Sequence, residues 1–346
     1  MARRLKIGML GCGEIAYKAT GRAIMACQKA EMIVAMDPAP DVAESYGKTF
    51  EMPHTTSVEE VLNNPEVEAV VISAPHYLHS PLTVQAAEAG KHVMVEKPMA
   101  CTMAQADAMI EACRKAGVRL AVNLVSRYEP STVKARELVQ AGVIGKVMGI
   151  QYHGMSRKPD SYWTGGYTGR VQTTWRKSRE ESGGGILIMN FVHDIDRMWY
   201  ITGLNAIRAF CEYDTYRTDT EVEDYITVTY RYENGAIGTL TSSSCAEGGQ
   251  GSGNRIAGTE GQILFGRGEL KVFSLKGGAG LTAGEWNEVS LDRTGNSRTT
   301  YTDRFAEAVF EGGQVDIPGE EGRKSLEMIV AAYRAGETHQ AVSLPL

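Results

Sequence analysis

The sequence predicts an α/β chain in two parts: a parallel sheet covered by helices, then an α+β region built on an open, mainly antiparallel sheet. Three observations carry that prediction. Short apolar runs alternate with helix-like stretches through the first 123 residues, and a glycine turn joins the first run to its helix. After about Ile150 the texture changes to glycine, aromatics and alternating strands. Strands that read as continuous apolar runs are buried on both faces, as in a parallel sheet, whereas alternation marks a strand with one face free.

The first element runs from Leu5 to Asp37. Ile7 to Leu10 is a strand, Gly11-Cys12-Gly13 breaks it, a helix follows, and a second apolar run from Met32 to Met36 ends on Asp37. The spacing Gly11, Gly13, Ala16 is the dinucleotide fingerprint in its G-x-G-x-x-A form. Gly11 allows the tight turn, Gly13 lets the backbone approach a pyrophosphate, and Ala16 lets helix and strand pack closely. Amides at the helix start, aided by the helix dipole, then hold the phosphates. Asp37 stands where an acid accepts hydrogen bonds from both ribose hydroxyls of the adenosine, and its charge repels a 2′-phosphate. No Arg or Lys stands in Pro38-Ala39-Pro40. The expected cofactor is therefore NAD rather than NADP. A structural alternative is an Asp that caps the following helix, DVAESYGKTF.

Beyond Asp37 the strands Glu68 to Pro75, Lys91 to Pro98 and Val118 to Asn123 alternate with helices over Ser80 to Ala89 and Thr102 to Ala116. Residues at the carboxyl ends of such strands line the cofactor crevice, which singles out Pro75-His76, Glu96-Lys97-Pro98 and Asn123. Farther on, Tyr225 to Tyr232 reads YITVTYRY, followed by Glu233-Asn234-Gly235 and AIGTLTSSS. Alternation on both sides of an Asn-Gly turn predicts a hairpin. QILF, LKVFSL and WNEVSL follow as short strands, and from Tyr301 the chain returns to helix. The expected domains are residues 1–123 for the dinucleotide, 124–300 for substrate and oligomer contacts, and 301–346 as a helical tail beside the first domain.

Composition narrows the function. A net charge of −6 without a basic block gives no reason to expect a nucleic acid, and a small ligand is expected instead. No run is apolar enough to span a membrane. Met-Ala-Arg-Arg leads into the first strand with no export core, so the expected location is the cytoplasm. Six scattered cysteines show no C-x-x-C pair and no His at zinc spacing, so they read as reduced, buried fillers and no metal is expected.

At Val95-Glu96-Lys97-Pro98-Met99-Ala100 the chain resembles the Gfo/Idh/MocA oxidoreductases, named for glucose-fructose oxidoreductase and inositol dehydrogenase, whose signature is an E-K-P at this strand end. The resemblance extends through GCGEIA, APHYLH (Ala74 to His79), GGGILIMNFVHDID (Gly183 to Asp196), VEDYITVTYRYENGA, IAGTEG and the closing LPL. It implies a Rossmann domain, an open antiparallel sheet domain, tight NAD(P), and a sugar or cyclitol substrate. Cofactor contacts are then expected from Gly11, Gly13, Glu14, Ile15, Asp37, Ser73, Pro75, His76, His79, Glu96, Lys97 and Asn123.

Lys97 is expected to be catalytic. A Lys followed by Pro at a strand end is held rigidly, and burial lowers a lysine's pKa toward the range of a general base. The alternative is a surface Lys paired with Glu96. Gly183-Gly184-Gly185 is expected to open a helix carrying Met189, Asn190, His193, Asp194 and Asp196, with Met189 one turn below His193. Many relatives resemble D-x-x-x-H here, with an acid where this chain has Met189, so the family's Lys-Asp-His trio is incomplete. His193 joins Lys97 as a catalytic candidate, while Asp194 and Asp196 read equally well as caps or partners of Arg197. Substrate contacts are expected from Lys97, Arg127, Tyr162, Trp163, Arg176, Asn190 and His193, with Trp175 nearby, since aromatic faces and Arg forks suit a polyhydroxylated ring.

Three functions compete. The first is NAD-dependent oxidation of a secondary alcohol of a sugar, sugar derivative or cyclitol. The second is a redox-neutral lyase or glycosidase that retains NAD and works through a transient keto-sugar. The third is a non-catalytic NAD- and sugar-binding regulator. A broad sheet face bearing Ile226, Val228 and Tyr230, or its opposite, invites association, so a homodimer or homotetramer is expected.

Overall fold

The computed structural model describes residues 3–248, 253–265, 268–292 and 295–346. The chain forms two compact units, both discontinuous in sequence: 1–125 with 159–183 and 295–326, and 126–158 with 184–294 and 327–346. Thus 159–183, which lies within the expected second domain, folds with the first unit. The tail is divided, 301–326 going to the first unit and 327–346 to the second.

The first unit holds β1 (Leu5–Leu10), β2 (Ala30–Met36), β3 (His54–Thr55), β4 (Ala69–Ile72), β5 (His92–Val95) and β6 (Leu120–Val122). They form one sheet in the order β3-β2-β1-β4-β5-β6, and every pair is parallel. This is the Rossmann order. It reverses direction between β1 and β4, and the crevice at that switch point is where such sheets bind nucleotides. β4 is buried at every position, as strands covered on both faces must be.

Local chemistry sets the helix ends here. Thr102 and Gln105 form a reciprocal capping box at the start of the helix Met103–Ala116, and Gly117, with φ of 68°, closes it. The helix expected from Ser80 starts earlier, at His76, and runs to Glu88 with Pro81 inside it. Pro81 gives up a single bond to the preceding turn, which the rest of the helix tolerates. That shift puts His76 and His79 on a helix leaving the end of β4, where a linear reading had a loop.

The second unit holds β7 (Val147–Met155), β8 (Ala206–Asp214), β9 (Tyr225–Tyr232), β10 (Ile237–Ser243), β11 (Asn254–Gly258), β12 (Gly261–Phe265), β13 (Leu270–Ser274), β14 (Trp286–Glu288) and β15 (Val342–Ser343). Their order is β14-β13-β12-β11-β7-β10-β9-β8-β15, antiparallel except where β7 meets β10. The β9–β10 hairpin forms as the Asn-Gly turn predicts, with Gly235 at φ of 88°. Ile226, Val228 and Tyr230 are buried within this unit. The opposite face, with Phe210, Ile237 and Trp286, is the exposed one. Among the described residues no helix is long and apolar enough to cross a membrane.

Candidate active site

The glycine turn has the shape that a dinucleotide requires. Gly11 has φ of 92°, and a Cβ there would lie 2.6 Å from the Ser73 carbonyl oxygen, so both conformation and space demand glycine. A Cβ on Gly13 would meet nothing within 4 Å, which leaves the backbone open to a close ligand on that side. Asp37 is buried, and its carboxylate accepts from the Cys12 amide at 2.9 Å and the Ala39 amide at 3.0 Å. Burial raises its pKa, against the two amides and the positive charge of Arg170, which lower it. The next helix, Pro40–Phe50, begins after Ala39 without a side-chain cap, so Asp37 is braced against the glycine turn and is not that helix's cap residue. A carboxylate oxygen has two lone-pair sites, so each can still accept a ribose hydroxyl. Ile15 stands exposed beside the turn.

The turn after β5 presents Lys97. Glu96 points inward: its carboxylate accepts from Thr20 Oγ1 at 2.7 Å, Asn123 Nδ2 at 2.5 Å and Arg298 Nη1 at 2.9 Å. Burial pushes its pKa up, but the Arg298 charge, Thr20, Lys97 and Asn123 outweigh that and leave it lowered. His79 braces the other side of Lys97, with Nδ1 2.8 Å from the Pro98 carbonyl and Nε2 2.9 Å from that of Ala74. Glu96, His79 and Asn123, expected to touch the cofactor, thus direct their polar atoms at the protein around Lys97.

The segment 159–183 supplies the surroundings within the same unit. His76 is buried, with Nδ1 2.8 Å from the Ser182 carbonyl and its ring 4.5 Å from that of Trp175. The carbonyl assigns the proton to Nδ1 and leaves Nε2 as the acceptor. Burial first, then His79, Lys97 and Arg176, hold the His76 pKa well below its usual value, so the ring is neutral. Arg176 stacks 4.5 Å from the Trp175 ring centre and 5.2 Å from that of Tyr162. Trp163 is 3% exposed, and its indole Nε1 has no hydrogen-bond partner among the described residues. The segment is clasped to the glycine turn, because Tyr167 N donates to Glu14 Oε2 at 2.8 Å and Arg170 Nε donates to the Cys12 carbonyl at 3.0 Å.

The second unit carries Arg127, Asn190 and His193. The stretch after the three glycines is a π-helix over Leu187–Phe191 that passes into the α-helix Val192–Thr202. One wide turn therefore separates Met189 from His193 in place of a regular α step. Met189 is buried, while Asn190 and His193 are half-buried. Glu223 holds the start of this stretch, accepting from Gly185 N at 2.7 Å, Leu187 N at 2.9 Å and the Tyr333 hydroxyl at 2.9 Å. A Cβ on Gly185 would lie 2.0 Å from the Glu223 carbonyl oxygen, so glycine is required at that crossing. Arg127 is not open to a ligand as expected. It is 4% exposed and grips Asp196 with two bonds of 2.8 and 2.6 Å. Asp194 pairs with Arg197.

Thr20, Arg170, Ser182, Glu223, Arg298 and Tyr333 escaped the sequence reading. Each meets its partner across a long stretch of chain, and apart from VEDYITVTYRYENGA, which contains Glu223, no short motif marks any of them. The cysteines are free and all are buried except the half-buried Cys245.

The description "Oxidoreductase family, NAD-binding Rossmann fold" (GFO/IDH/MocA) matches residues 5–124, and the GFO/IDH/MocA C-terminal domain matches residues 132–264. The chain is 28% identical over 345 residues to the 1,5-anhydro-D-fructose reductase of Ensifer adhaerens, covering 97% of this chain and 98% of that protein. It is 27% identical over 355 residues to the myo-inositol 2-dehydrogenase of Thermotoga maritima, covering 98% of each. Among solved structures, the aldose-aldose oxidoreductase of Caulobacter crescentus complexed with glycerol superposes with a TM-score of 0.86 at 26% identity, over 99% of this chain and 100% of that one.

Proposed function

Because the chain belongs to the GFO/IDH/MocA oxidoreductase family, we propose that it oxidises a secondary alcohol of a sugar, sugar derivative or cyclitol with NAD. The observation that carries this reading is the turn after β5, where Lys97 stands between a carboxylate fixed by three donors and a proline whose carbonyl faces His79. Gly13 and Asp37 would hold the cofactor's pyrophosphate and adenosine ribose. When bound, NAD supplies the hydride acceptor at nicotinamide C4.

In this reading Lys97 takes the hydroxyl proton while the carbon's hydrogen leaves with its electron pair, so that the alcohol becomes a carbonyl. His193 orients the hydroxyl or relays its proton. Met189 takes no part, because a thioether cannot accept a proton. Tyr162, Arg176 and Asn190 contact the ring, and Trp163 packs edge-on against Tyr162 behind it. Glu96, His79 and Asn123 support Lys97 from behind, since their polar groups already face protein partners, and Arg127 is taken up by Asp196 within its own unit. The exposed face bearing Phe210, Ile237 and Trp286 joins copies into a dimer or tetramer, and a monomer by light scattering at micromolar concentration would end that part of the reading.

The clasp of Tyr167 and Arg170 on the glycine turn favours one second reading, a redox-neutral enzyme that keeps its NAD through the cycle. One experiment separates the two. The protein is incubated with NAD and a panel of sugars and cyclitols, while NADH absorbance and sugar products are followed together. Accumulating NADH supports the dehydrogenase, and product without NADH supports the retaining enzyme. NAD binding without turnover of any compound would leave a ligand-binding regulator.

A further inference from the structure

Arg170 stands 158 residues along the chain from Cys12, yet it closes on the place where the adenosine ribose is expected. Its Nε donates to the Cys12 carbonyl at 3.0 Å, Nη1 to Ser45 Oγ at 3.3 Å and Nη2 to the Val42 carbonyl at 3.4 Å. The guanidinium lies 4.1 Å from the centre of the Tyr17 ring. Cys12 is the middle of the glycine turn and donates its amide to Asp37, and Val42 and Ser45 belong to the helix that follows Asp37. The guanidinium is thus fixed to the two elements that present Asp37.

A 2′-phosphate that met Asp37 alone would meet only repulsion. Beside Asp37 and Arg170 together it meets opposed charges, and a guanidinium with five N–H donors has some to spare after three protein bonds. We infer that Arg170 is a specificity-determining residue for the cofactor: it offsets the exclusion of a 2′-phosphate by Asp37, so that NAD is preferred and NADP is still bound. This rests on Asp37 facing the adenosine ribose. The absence of a basic residue next to Asp37 in the sequence is made good by one that arrives through the fold.

The test is calorimetric, on the full chain without substrate. Dissociation constants for NAD, NADP, 5′-AMP and 2′,5′-ADP are measured for the parent, Arg170→Met, Arg170→Lys, Asp37→Ser and the Asp37→Ser/Arg170→Met pair. In Arg170→Met the NADP-to-NAD ratio of dissociation constants is expected to rise by about tenfold, the scale of one lost charge contact at a partly buried site. The ratio of 2′,5′-ADP to 5′-AMP should rise with it. Arg170→Lys keeps the charge, so its ratio should stay nearer the parent's. Asp37→Ser should turn the preference toward NADP, and adding Arg170→Met should remove most of that gain. A ratio unmoved by Arg170→Met, with both nucleotides weakened alike, would reduce Arg170 to a latch for the segment 159–183. A parent that shows no preference, or in which Asp37→Ser changes nothing, would remove the Asp37 assignment and this one with it.

Discussion

Two buried carboxylates stand behind the two residues proposed to handle the substrate's proton, and they are held in opposite ways. Glu96, next to Lys97, faces the Arg298 guanidinium together with a hydroxyl and an amide. Glu223, at the start of the stretch that carries His193, is held by two backbone amides and a phenol, all of them neutral. The pKa values follow. Glu96 is lowered despite its burial, whereas burial raises Glu223 and its hydrogen bonds from Leu187, Tyr333 and Gly185 only oppose that rise. A buried charge met by an opposite charge resists protonation, and one met by dipoles alone bears more of its desolvation.

The largest expected effect falls on Lys97. General acid–base catalysis contributes about 10²- to 10⁴-fold, or roughly 3 to 5 kcal/mol, so Lys97→Met should lower kcat by that order. NAD affinity should survive, because the pyrophosphate and ribose contacts lie at Gly13 and Asp37. Single-turnover NADH formation at saturating substrate, set beside NAD affinity, checks both. Near-normal hydride transfer would take Lys97 out of the mechanism and leave its ionic support without a catalytic purpose.

Next come the carboxylates themselves, measured as stability. Glu96→Gln leaves Arg298 facing a neutral group, and breaking a buried pair costs on the order of 3 kcal/mol. Glu223→Gln keeps one carbonyl oxygen but sets an NH₂ against an amide donor, for a cost of about 1 to 3 kcal/mol. Urea unfolding of both variants and the parent gives the two values. A larger loss for Glu223→Gln than for Glu96→Gln would reverse the ranking of ionic over dipolar support.

The pH dependence of those losses should run in opposite directions. The folded pKa of Glu96 is lowered, so its contribution is present above the unfolded value near 4.5 and disappears as the pH falls through the folded one. The folded pKa of Glu223 is raised, so the contribution of that shift is full below the unfolded value and is lost as the pH rises through the folded one. The stability gap between parent and Glu96→Gln should therefore widen from acid to neutral pH. For Glu223→Gln it should narrow. The Glu96→Gln gap should open between about pH 3 and pH 4.5 and the Glu223→Gln gap should close between about pH 4.5 and pH 7, so gaps that stay parallel across unfolding curves at all three pH values would refute the distinction.

The same contrast explains what could be read from the chain before folding. Gly11, Gly13 and Asp37 are legible because the fingerprint is local, each residue doing its work within one strand-turn-helix-strand unit. The hairpin at Asn234-Gly235 is legible for the same reason. Lys97 stood out through its motif, but its support did not: Glu96 finds Arg298 across 202 residues, and no local pattern announces that pairing. Arg127 misled because an Arg near a site reads as a ligand fork, while its partner Asp196 lies 69 residues on. The segment 159–183 hid its role entirely. It interrupts the second unit in sequence and folds with the first, bringing Trp175 to His76 and Arg170 to Cys12. Local sterics can be read along a chain, whereas charge partners chosen by topology cannot.

The smallest expected effect, and the finest test of dipolar support, is Tyr333→Phe. The phenol donates to Glu223 and accepts from the Ile188 amide at 3.4 Å, so one oxygen links the carboxylate to the π-helical stretch that leads to His193. Removing it deletes one donor from a carboxylate that keeps two amides, and the ring still fills its place. The loss should be about 1 kcal/mol, the net value of one buried hydrogen bond. The Glu223 pKa should rise further, because a bond that stabilised its charged form is gone. If Glu223 sets the course of the stretch leading to His193, kcat should fall a few-fold in Tyr333→Phe while KM for NAD stays level, and Glu223→Gln should show the same split more strongly. Stability lost with kcat intact in both variants would mean that the triple-glycine turn and its carboxylate hold the second unit together without positioning His193.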